Sequence, residues 1–243
     1  MTKEELLKIA KEKEACESGL RWMEDHEIED LKSREAVYLG YWYWVWKNVP
    51  ECRDQIRHDK QMLDEFINDK NRKVRRAVAE QGYGLDKLVN DEDYDVRKAV
   101  AKQGCGLDKL INDKNCYIRI AVAEQGYGLD TLINDKDWEV RAAVARQGYG
   151  LDKLVNDEDF EIRAAVARQG YGLDKLVNDK NSYVRVTLAE QGYGLDKLVN
   201  DEAEFVRAAV AEQGYGLNKL INDEGWYVRE AAERKLKEMK END

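Results

Sequence analysis

The apolar residues of this chain recur at a fixed interval of 22 residues over most of its length. A Val or Ile begins each interval and an Arg follows it; the apolar residue is in turn Val74, Val96, Ile118, Val140, Ile162, Val184, Val206 and Val228. After it come a helical apolar pattern, a Gly-rich turn and a second, shorter apolar run. Such a period is typical of a solenoid, in which each unit buries its apolar side only against its neighbours.

The first half of each repeat predicts an α-helix. In the repeat that starts near Asp93, this residue is a candidate N-cap, and Asn115, Asp137, Asp159 and Asn181 are its equivalents. Helical spacing places four residues of the YDVRKAVAKQ segment on one buried face, namely Val96, Ala99, Val100 and Gln103. A column of Ala residues on these helices predicts close approach between successive repeats.

The second half of each repeat predicts a glycine turn and a shorter helix. Gly104 and Gly106 flank the turn, and Gly104 is the expected C′ residue with positive φ. The LDKLIND segment then predicts a helix of about two turns. Its buried residues are expected to be Leu107, Leu110 and Ile111.

Different patterns precede the repeats. Thr2 and Glu5 form a capping box for an amphipathic helix that should run to about Glu24. Ser33 is the candidate N-cap of a second helix, whose aromatic residues surround it on nearly every side, and Pro50 suits the start of the next helix. Either these rings seal the open side of the first repeat, or they form an exposed binding patch.

We therefore predict an all-α fold, a right-handed α-solenoid of 22-residue two-helix repeats with helical caps at both ends. Residues 1–50 would form an N-terminal helical cap rich in aromatics, and residues 51–227 the repeat array. In that array a degenerate first repeat, with Cys52 at its start, precedes seven clean ones. Residues 228–243 would form a C-terminal capping helix with a polar outer face.

Composition narrows the possible functions. The formal net charge of −10 argues against direct nucleic-acid binding and against binding to a membrane surface. No apolar run approaches the length of a membrane span, and the N-terminus lacks the apolar region of a signal peptide, so we expect a cytoplasmic protein. Without CxxC spacing, the cysteines are expected to be buried thiols that hold no metal; they are Cys16, Cys52, Cys105 and Cys116.

The motif VRxAVAxQ followed by LxxLxxDxDxxVR resembles the leucine-rich-repeat variant, a HEAT-like bacterial repeat, over about residues 52–235. That resemblance implies an α-helix paired with a shorter, often 3₁₀, helix in each repeat. The repeat is shorter here than is usual in that family, and QGYG stands where the family carries proline-containing turns.

Two charged rows run through the repeats. Each Arg that follows the apolar residue is preceded, six residues earlier, by an Asp; Asp91 and Arg97 are one such pair. One interpretation is a structural ion-pair ladder, and the other is an exposed Arg stripe that binds phosphates. Rows of Gln and Asn are expected to satisfy backbone groups, and the Tyr of the glycine turn should either pack at the edge or stack on a ligand.

The positions that differ among repeats are the best candidates for a binding surface. Aromatic residues alternate between two adjacent sites before the apolar residue, and since these point about 100° apart, some must be exposed. Another variable position lies six residues after the apolar one. Aromatic and Arg residues are enriched in interface hot spots. The predicted partner-binding residues are Trp138, Phe160, Arg146, Arg168, Tyr183 and Phe205.

The sequence predicts no catalytic, cofactor or metal site, because its carboxylates belong to repeated rows and no phosphate-binding glycine motif is present. The first functional hypothesis is a non-enzymatic scaffold that binds another protein along one face. The alternative is an acidic inhibitor that mimics nucleic acid, as in phage or mobile-element anti-defence proteins. A third hypothesis, a HEAT-like protein of DNA binding or repair, is disfavoured by the acidic charge.

Overall fold

The computed structural model describes residues 2–27, Tyr41, Val45 and residues 60–241. The chain divides into two compact units, Met1–Tyr127 and Gly128–Asp243, which are described separately. The predictions about Ser33, the other aromatic residues of the second N-terminal helix, Pro50 and Cys52 lie outside the described residues. Tyr41 packs against Trp22, with 5.3 Å between the ring centroids.

Every regular element in the described part of the chain is a helix. The first unit contains α1 (Lys3–Glu12), α2 (Glu17–Asp25), α3 (Lys60–Phe66), α4 (Arg72–Glu80), α5 (Leu85–Leu88), α6 (Tyr94–Lys102), α7 (Leu107–Leu110) and α8 (Cys116–Glu124). The second contains α9 (Leu129–Leu132), α10 (Trp138–Arg146), α11 (Leu151–Leu154), α12 (Phe160–Arg168), α13 (Leu173–Leu176), α14 (Ser182–Glu190), α15 (Leu195–Leu198), α16 (Glu204–Glu212), α17 (Leu217–Leu220) and α18 (Trp226–Glu241).

Within each unit the repeats stack in sequence order. The long helices α4, α6 and α8 pack side by side in the first unit, and α10, α12, α14, α16 and α18 do so in the second. A short helix of four residues separates consecutive long helices. The predicted all-α solenoid of two-helix repeats is confirmed.

The N-terminal capping box is confirmed, but the single helix predicted after it is wrong. The Thr2 hydroxyl accepts from the Glu5 N–H at 3.3 Å, and the Glu5 carboxylate accepts from the Thr2 N–H at 2.7 Å. Helix α1 then ends at Glu12, because Glu14 turns into the left-handed region with φ 54°. The Ala15 N–H closes this turn on the Ala10 carbonyl. No signal in the sequence marks this break between α1 and α2, because Glu14 occupies a left-handed position at which Gly is usual.

The long helices begin as predicted. The side chains of Asn71, Asp93, Asn115, Asp137, Asp159 and Asn181 each accept from the backbone N–H two residues later, at 2.8–3.0 Å. Ala203 occupies the same position before α16 and makes no such bond. Each N-cap of this kind contributes about 1 kcal/mol.

The buried face of the long helices is close to the prediction. In α6, Val96, Ala99 and Val100 are buried, as are Arg97 and Ala101. Gln103 is exposed, so its predicted burial is wrong: it lies at the C-cap, where its Nε2 donates to the Glu80 carbonyl of the preceding long helix at 2.9 Å.

The turn between helices uses two left-handed glycines. Gly104 has φ 72°, as predicted, and Gly106 has φ 60°. The short helix α7 then makes one turn, and the predicted second turn is absent because Asp113 leaves the helix to pair with Arg97. Leu110 is buried, whereas Leu107 and Ile111 are only half-buried.

None of the described helices has both the length and the apolar composition that a membrane-spanning helix requires.

Candidate functional site

The Arg row forms a buried ladder with the Asp row. Within the two units the pairs are Arg75–Asp91, Arg97–Asp113, Arg141–Asp157, Arg163–Asp179, Arg185–Asp201 and Arg207–Asp223. In each pair Nε and Nη2 donate to the two oxygens of one carboxylate, at 2.6–2.8 Å and 2.8–3.1 Å respectively. These guanidinium groups are therefore not available as a phosphate-binding stripe.

The sequence identified the two rows but assigned the wrong contact. Each Arg was expected to pair with the carboxylate of the Asp six residues earlier. Instead its Nη1 donates to the backbone carbonyl of that Asp, as in Arg163 to Asp157 at 2.8 Å. The carboxylate partner lies 16 residues later, across the short helix, as in Arg163 to Asp179. One Arg therefore ties together two successive loops between repeats.

The ladder carboxylates also hold the loops that carry them. Asp179 Oδ1 accepts the Asn181 N–H at 2.9 Å as well as the Arg163 guanidinium. Burial tends to raise the pKa of Asp113 and of Asp179, but the hydrogen bonds from arginine and from the backbone outweigh it and hold each pKa below its ordinary value. For Asp223 the hydrogen bond from Arg207 is the largest influence and lowers its pKa.

A second set of exposed residues, which we term the short-helix face, comprises the turn Tyr, the Asp and Lys of the short helix, and the Asn that follows. In one repeat these are Tyr171, Asp174, Lys175 and Asn178. The lysines donate to the Asn of the preceding repeat, in the pairs Lys153–Asn134, Lys175–Asn156, Lys197–Asn178 and Lys219–Asn200. Tyr83 donates to Asp64 at 2.9 Å, and Tyr193 donates to Asp174. These residues link neighbouring repeats in the same way along the stack.

The predicted binding residues all lie in the second unit, at the two ends of its long helices. Trp138 and Phe160 begin α10 and α12, and Tyr183 and Phe205 are the second residues of α14 and α16. Arg146 and Arg168 end α10 and α12. All are exposed except Phe160, which is half-buried. We term these six residues the aromatic face.

The structure brings three of the six into contact. The Phe160 and Tyr183 rings meet edge to face at 5.8 Å between centroids. The Arg168 guanidinium lies 5.6 Å from the Tyr183 ring centroid and donates to the Tyr183 hydroxyl at 2.8 Å. Tyr183 therefore reaches from the start of α14 to the end of α12.

The other three residues extend this cluster along the second unit. Phe205 packs on Tyr227 at 6.0 Å between centroids, and Tyr227 packs on Trp226 at 4.7 Å. Trp138 and Arg146 lie at opposite ends of α10, separated by the buried Ala142. In α12 the equivalent residue is Ala164, which is fully buried.

Tyr227 and Trp226 belong to the same surface, although the sequence did not place them among the candidates. Tyr227 occupies the column of Tyr183 and Phe205, and Trp226 the column of Trp138 and Phe160. Their equivalent positions in the repeat were therefore the signal that could have identified them. Restricting the candidates to a few consecutive repeats left them out.

The cysteines differ from the prediction of buried thiols. Cys16 is exposed, and its Sγ lies 3.3 Å from the Ser18 hydroxyl, a hydrogen bond that lowers the pKa of the thiol. Cys105 and Cys116 are half-buried. Cys105 stands where the other clean repeats have the turn Tyr.

No protein-family model matches this chain, and the comparison with curated proteins yields no match either.

Proposed function

We propose that this chain is a non-enzymatic scaffold that binds another protein through the aromatic face. The observation that carries the proposal is the cluster of Phe160, Tyr183 and Arg168, extended by exposed rings on both sides. Tyr183 is 41% exposed and Phe205 is 61% exposed, whereas the aliphatic side chains of the same two helices are largely buried.

The energetics favour a macromolecular ligand. Covering the exposed half of an aromatic side chain removes roughly 80–100 Å² from water, which contributes about 2 kcal/mol at about 25 cal/mol per Å². Three or four such rings in a row can therefore supply the hot-spot energy of a protein interface. The Phe160 and Tyr183 rings are already held by their edge-to-face contact and by Arg168, so ordering them on binding costs little.

The expected occupant is an amphipathic segment of another protein with an acidic flank. Its apolar side chains would lie against Trp138, Tyr183 and Phe205. Its acidic side chains would lie near Arg146 and Arg168, which are exposed and make no ion pair with any residue that the structure describes. This orientation follows from charge complementarity between the acidic flank of the segment and the two arginines.

The experiment compares matched variants in affinity capture from a host lysate, followed by binding measurements on the purified partner. Trp138→Ala, Phe160→Ala and Arg168→Ala are the test variants, and Tyr171→Ala is the control. Tyr171 is 41% exposed, the same as Tyr183, but belongs to the short-helix face.

We expect at least one test variant to weaken binding about 30-fold, which corresponds to about 2 kcal/mol, while Tyr171→Ala changes the affinity less than about threefold. A partner that loses affinity for none of the three variants, or equally for Tyr171→Ala, does not bind the aromatic face. Photo-crosslinking from an amino acid placed at position 205 then identifies which segment of the partner lies there.

An acidic inhibitor of a nucleic-acid-binding protein is the second candidate, and the net charge of −10 favours it. The exposed loop column at the edge of the repeats reads Glu92, Lys114, Lys136, Glu158, Lys180, Glu202 and Glu224. Lysines interrupt this column, whereas mimicry of a phosphate backbone requires continuous negative charge. Binding that weakens steeply with salt and competes with DNA or RNA would support this candidate over the scaffold.

Two further assignments, the repeat family and the cellular location, belong to the same proposal. Pairing of a long and a short helix in each repeat supports the likeness to the leucine-rich-repeat variant and HEAT-like repeats. A cytoplasmic location would suit a partner of this kind, and fractionation of the source cells tests it.

A further inference from the structure

Among the members of the Arg row that the structure describes, Arg229 is the one whose carboxylate-binding edge is open. Its Nη1 donates to the Asp223 carbonyl at 2.7 Å and to the Glu224 carbonyl at 2.9 Å, as in the earlier repeats. Within the part of the chain that the structure describes, its Nε and Nη2 contact no carboxylate, and both of its hydrogen bonds come from Nη1. Arg229 is half-buried, so this edge is accessible from outside.

The ladder shows which ligand this edge accepts. In the six pairs of the ladder the same two nitrogens hold both oxygens of one Asp carboxylate. In Arg207–Asp223, the neighbouring pair, Nε lies 2.8 Å from Oδ2 and Nη2 lies 2.8 Å from Oδ1. Because Nη1 of Arg229 is anchored in the same way, its guanidinium is already oriented for a bidentate carboxylate.

The surroundings of Arg229 favour a carboxylate carried on a polypeptide. Trp226 lies three residues before Arg229, hence on the same side of α18, and is 57% exposed. Glu233 stands where the earlier long helices have a fully buried Ala, such as Ala211 in α16, and it is exposed. Glu233 would repel a highly charged anion such as phosphate more strongly than a single carboxylate.

We propose that Arg229 and Trp226 form a carboxylate-binding site for an acidic side chain of a protein segment that docks on this side of α18. Trp226 also belongs to the surface that continues the aromatic face. The carboxylate contact itself is made by Arg229 and does not depend on the function proposed for that face. The guanidinium binds the carboxylate side-on, and the Trp226 ring packs against the neighbouring apolar part of the segment.

The test is a ¹H–¹⁵N spectrum of the arginine Nε–H groups in the full-length protein. Arg229→Lys assigns the Arg229 signal, which should lie apart from the signals of the paired ladder arginines. The probe is an acetylated, amidated peptide that copies residues 217–223, in which Asp223 supplies the only carboxylate. The control probe is the same peptide with the change Asp223→Asn.

We expect the Arg229 signal to move toward the ladder signals with the aspartate peptide. The asparagine peptide should bind at least about tenfold more weakly, since it loses a charge-assisted bidentate contact. The Arg234 signal serves as reference, because that exposed arginine already pairs with Glu212.

Three results would overturn the proposal. They are equal shifts with both peptides, no shift with either, or a larger shift with inorganic phosphate at the same concentration. Trp226→Ala provides a second variant that leaves the guanidinium in place; we expect about threefold weaker peptide binding, and unchanged binding would remove Trp226 from the site.

Discussion

Tyr171 and Tyr183 are equally exposed, at 41% each, but they belong to surfaces of different kinds. Tyr171 lies on the short-helix face, where nearly the same residues recur in every clean repeat and lysines bond to asparagines of the preceding repeat. Tyr183 lies on the aromatic face, where the residues differ from one repeat to the next. A column that links neighbouring repeats must stay constant, because each repeat has to fit the next. The aromatic face also carries contacts between neighbouring repeats, such as Arg168 with Tyr183, but these contacts differ from one repeat to the next. Specificity for a partner can therefore reside there.

Helix α12 allows a second comparison, because it carries one arginine of the buried ladder and one of the aromatic face. Arg163 belongs to the buried ladder and Arg168 to the aromatic face. We expect Arg163→Ala to lower the free energy of unfolding by about 3–5 kcal/mol, because it leaves the buried Asp179 carboxylate without its partner. Arg168→Ala should lower it by less than about 1 kcal/mol. Urea unfolding followed by circular dichroism measures both losses, and equal losses would contradict the distinction between the buried ladder and the aromatic face.

Acid should break the ladder and leave the aromatic face intact. A carboxylate whose folded-state pKa is lowered stabilises the fold above its unfolded pKa of about 3.9, and this contribution is lost as the pH falls through the folded pKa. Asp113, Asp179 and Asp223 meet this condition. We therefore expect stability to be flat above about pH 5 and to fall below about pH 4.

Urea titrations at several pH values test this expectation. The variant Asp179→Asn is the control, since it should reduce the acid dependence by the share of one carboxylate while being less stable at neutral pH. A stability that rises as the pH falls below 4 would contradict the assigned pKa directions.

Substitutions at the two glycines of one turn distinguish the effect of backbone conformation on stability from the effect of close packing. Gly170 has φ 74° and no atom within 4 Å of an added Cβ, whereas Gly172 has φ 65° and would place its Cβ 2.6 Å from Val155 Cγ2. Gly170→Ala should lower the free energy of unfolding by about 1 kcal/mol from backbone strain alone. Gly172→Ala adds a steric clash, so we expect a loss of about 2–3 kcal/mol in the same urea assay. Equal losses would show that Val155 moves aside without penalty.

The smallest effect on stability is expected on the aromatic face itself. Phe205→Ala should change the free energy of unfolding by less than about 0.5–1 kcal/mol, because the ring is mostly exposed and, among the described rings, packs on Tyr227 alone. Val206→Ala is the matched control, since Val206 is fully buried on the same helix, and should cost about 2 kcal/mol. A large loss from Phe205→Ala would indicate a structural role for that column.

The repeat register made much of the fold predictable, because each helix start, N-cap and glycine turn recurs with its physical cause. Asp93, Asp137 and Asp159 were predicted as N-caps and serve as such. The second turn of the short helix was predicted and does not form, since periodicity does not show that Asp113 is required elsewhere. The break at Glu14 was missed for a similar reason, as its left-handed turn is closed by backbone bonds that any residue type can make.

The candidate face was only partly predictable. The sequence identified aromatic columns in which some rings had to be exposed, and the structure confirms that exposure. Which rings touch one another could not be predicted, because Tyr183 meets Arg168 across 15 residues of sequence and two different helices.

The sequence alone determined the period, the helical content, the capping residues and the two columns in which variation concentrates. These follow from local spacing and from the conformational preferences of single residues. Only the tertiary structure decided that each arginine pairs with the carboxylate 16 residues later, and that Arg229 retains an open carboxylate-binding edge. The physical reason is that a side chain's partner depends on which loops meet when repeats stack, and this geometry is not encoded at any one position.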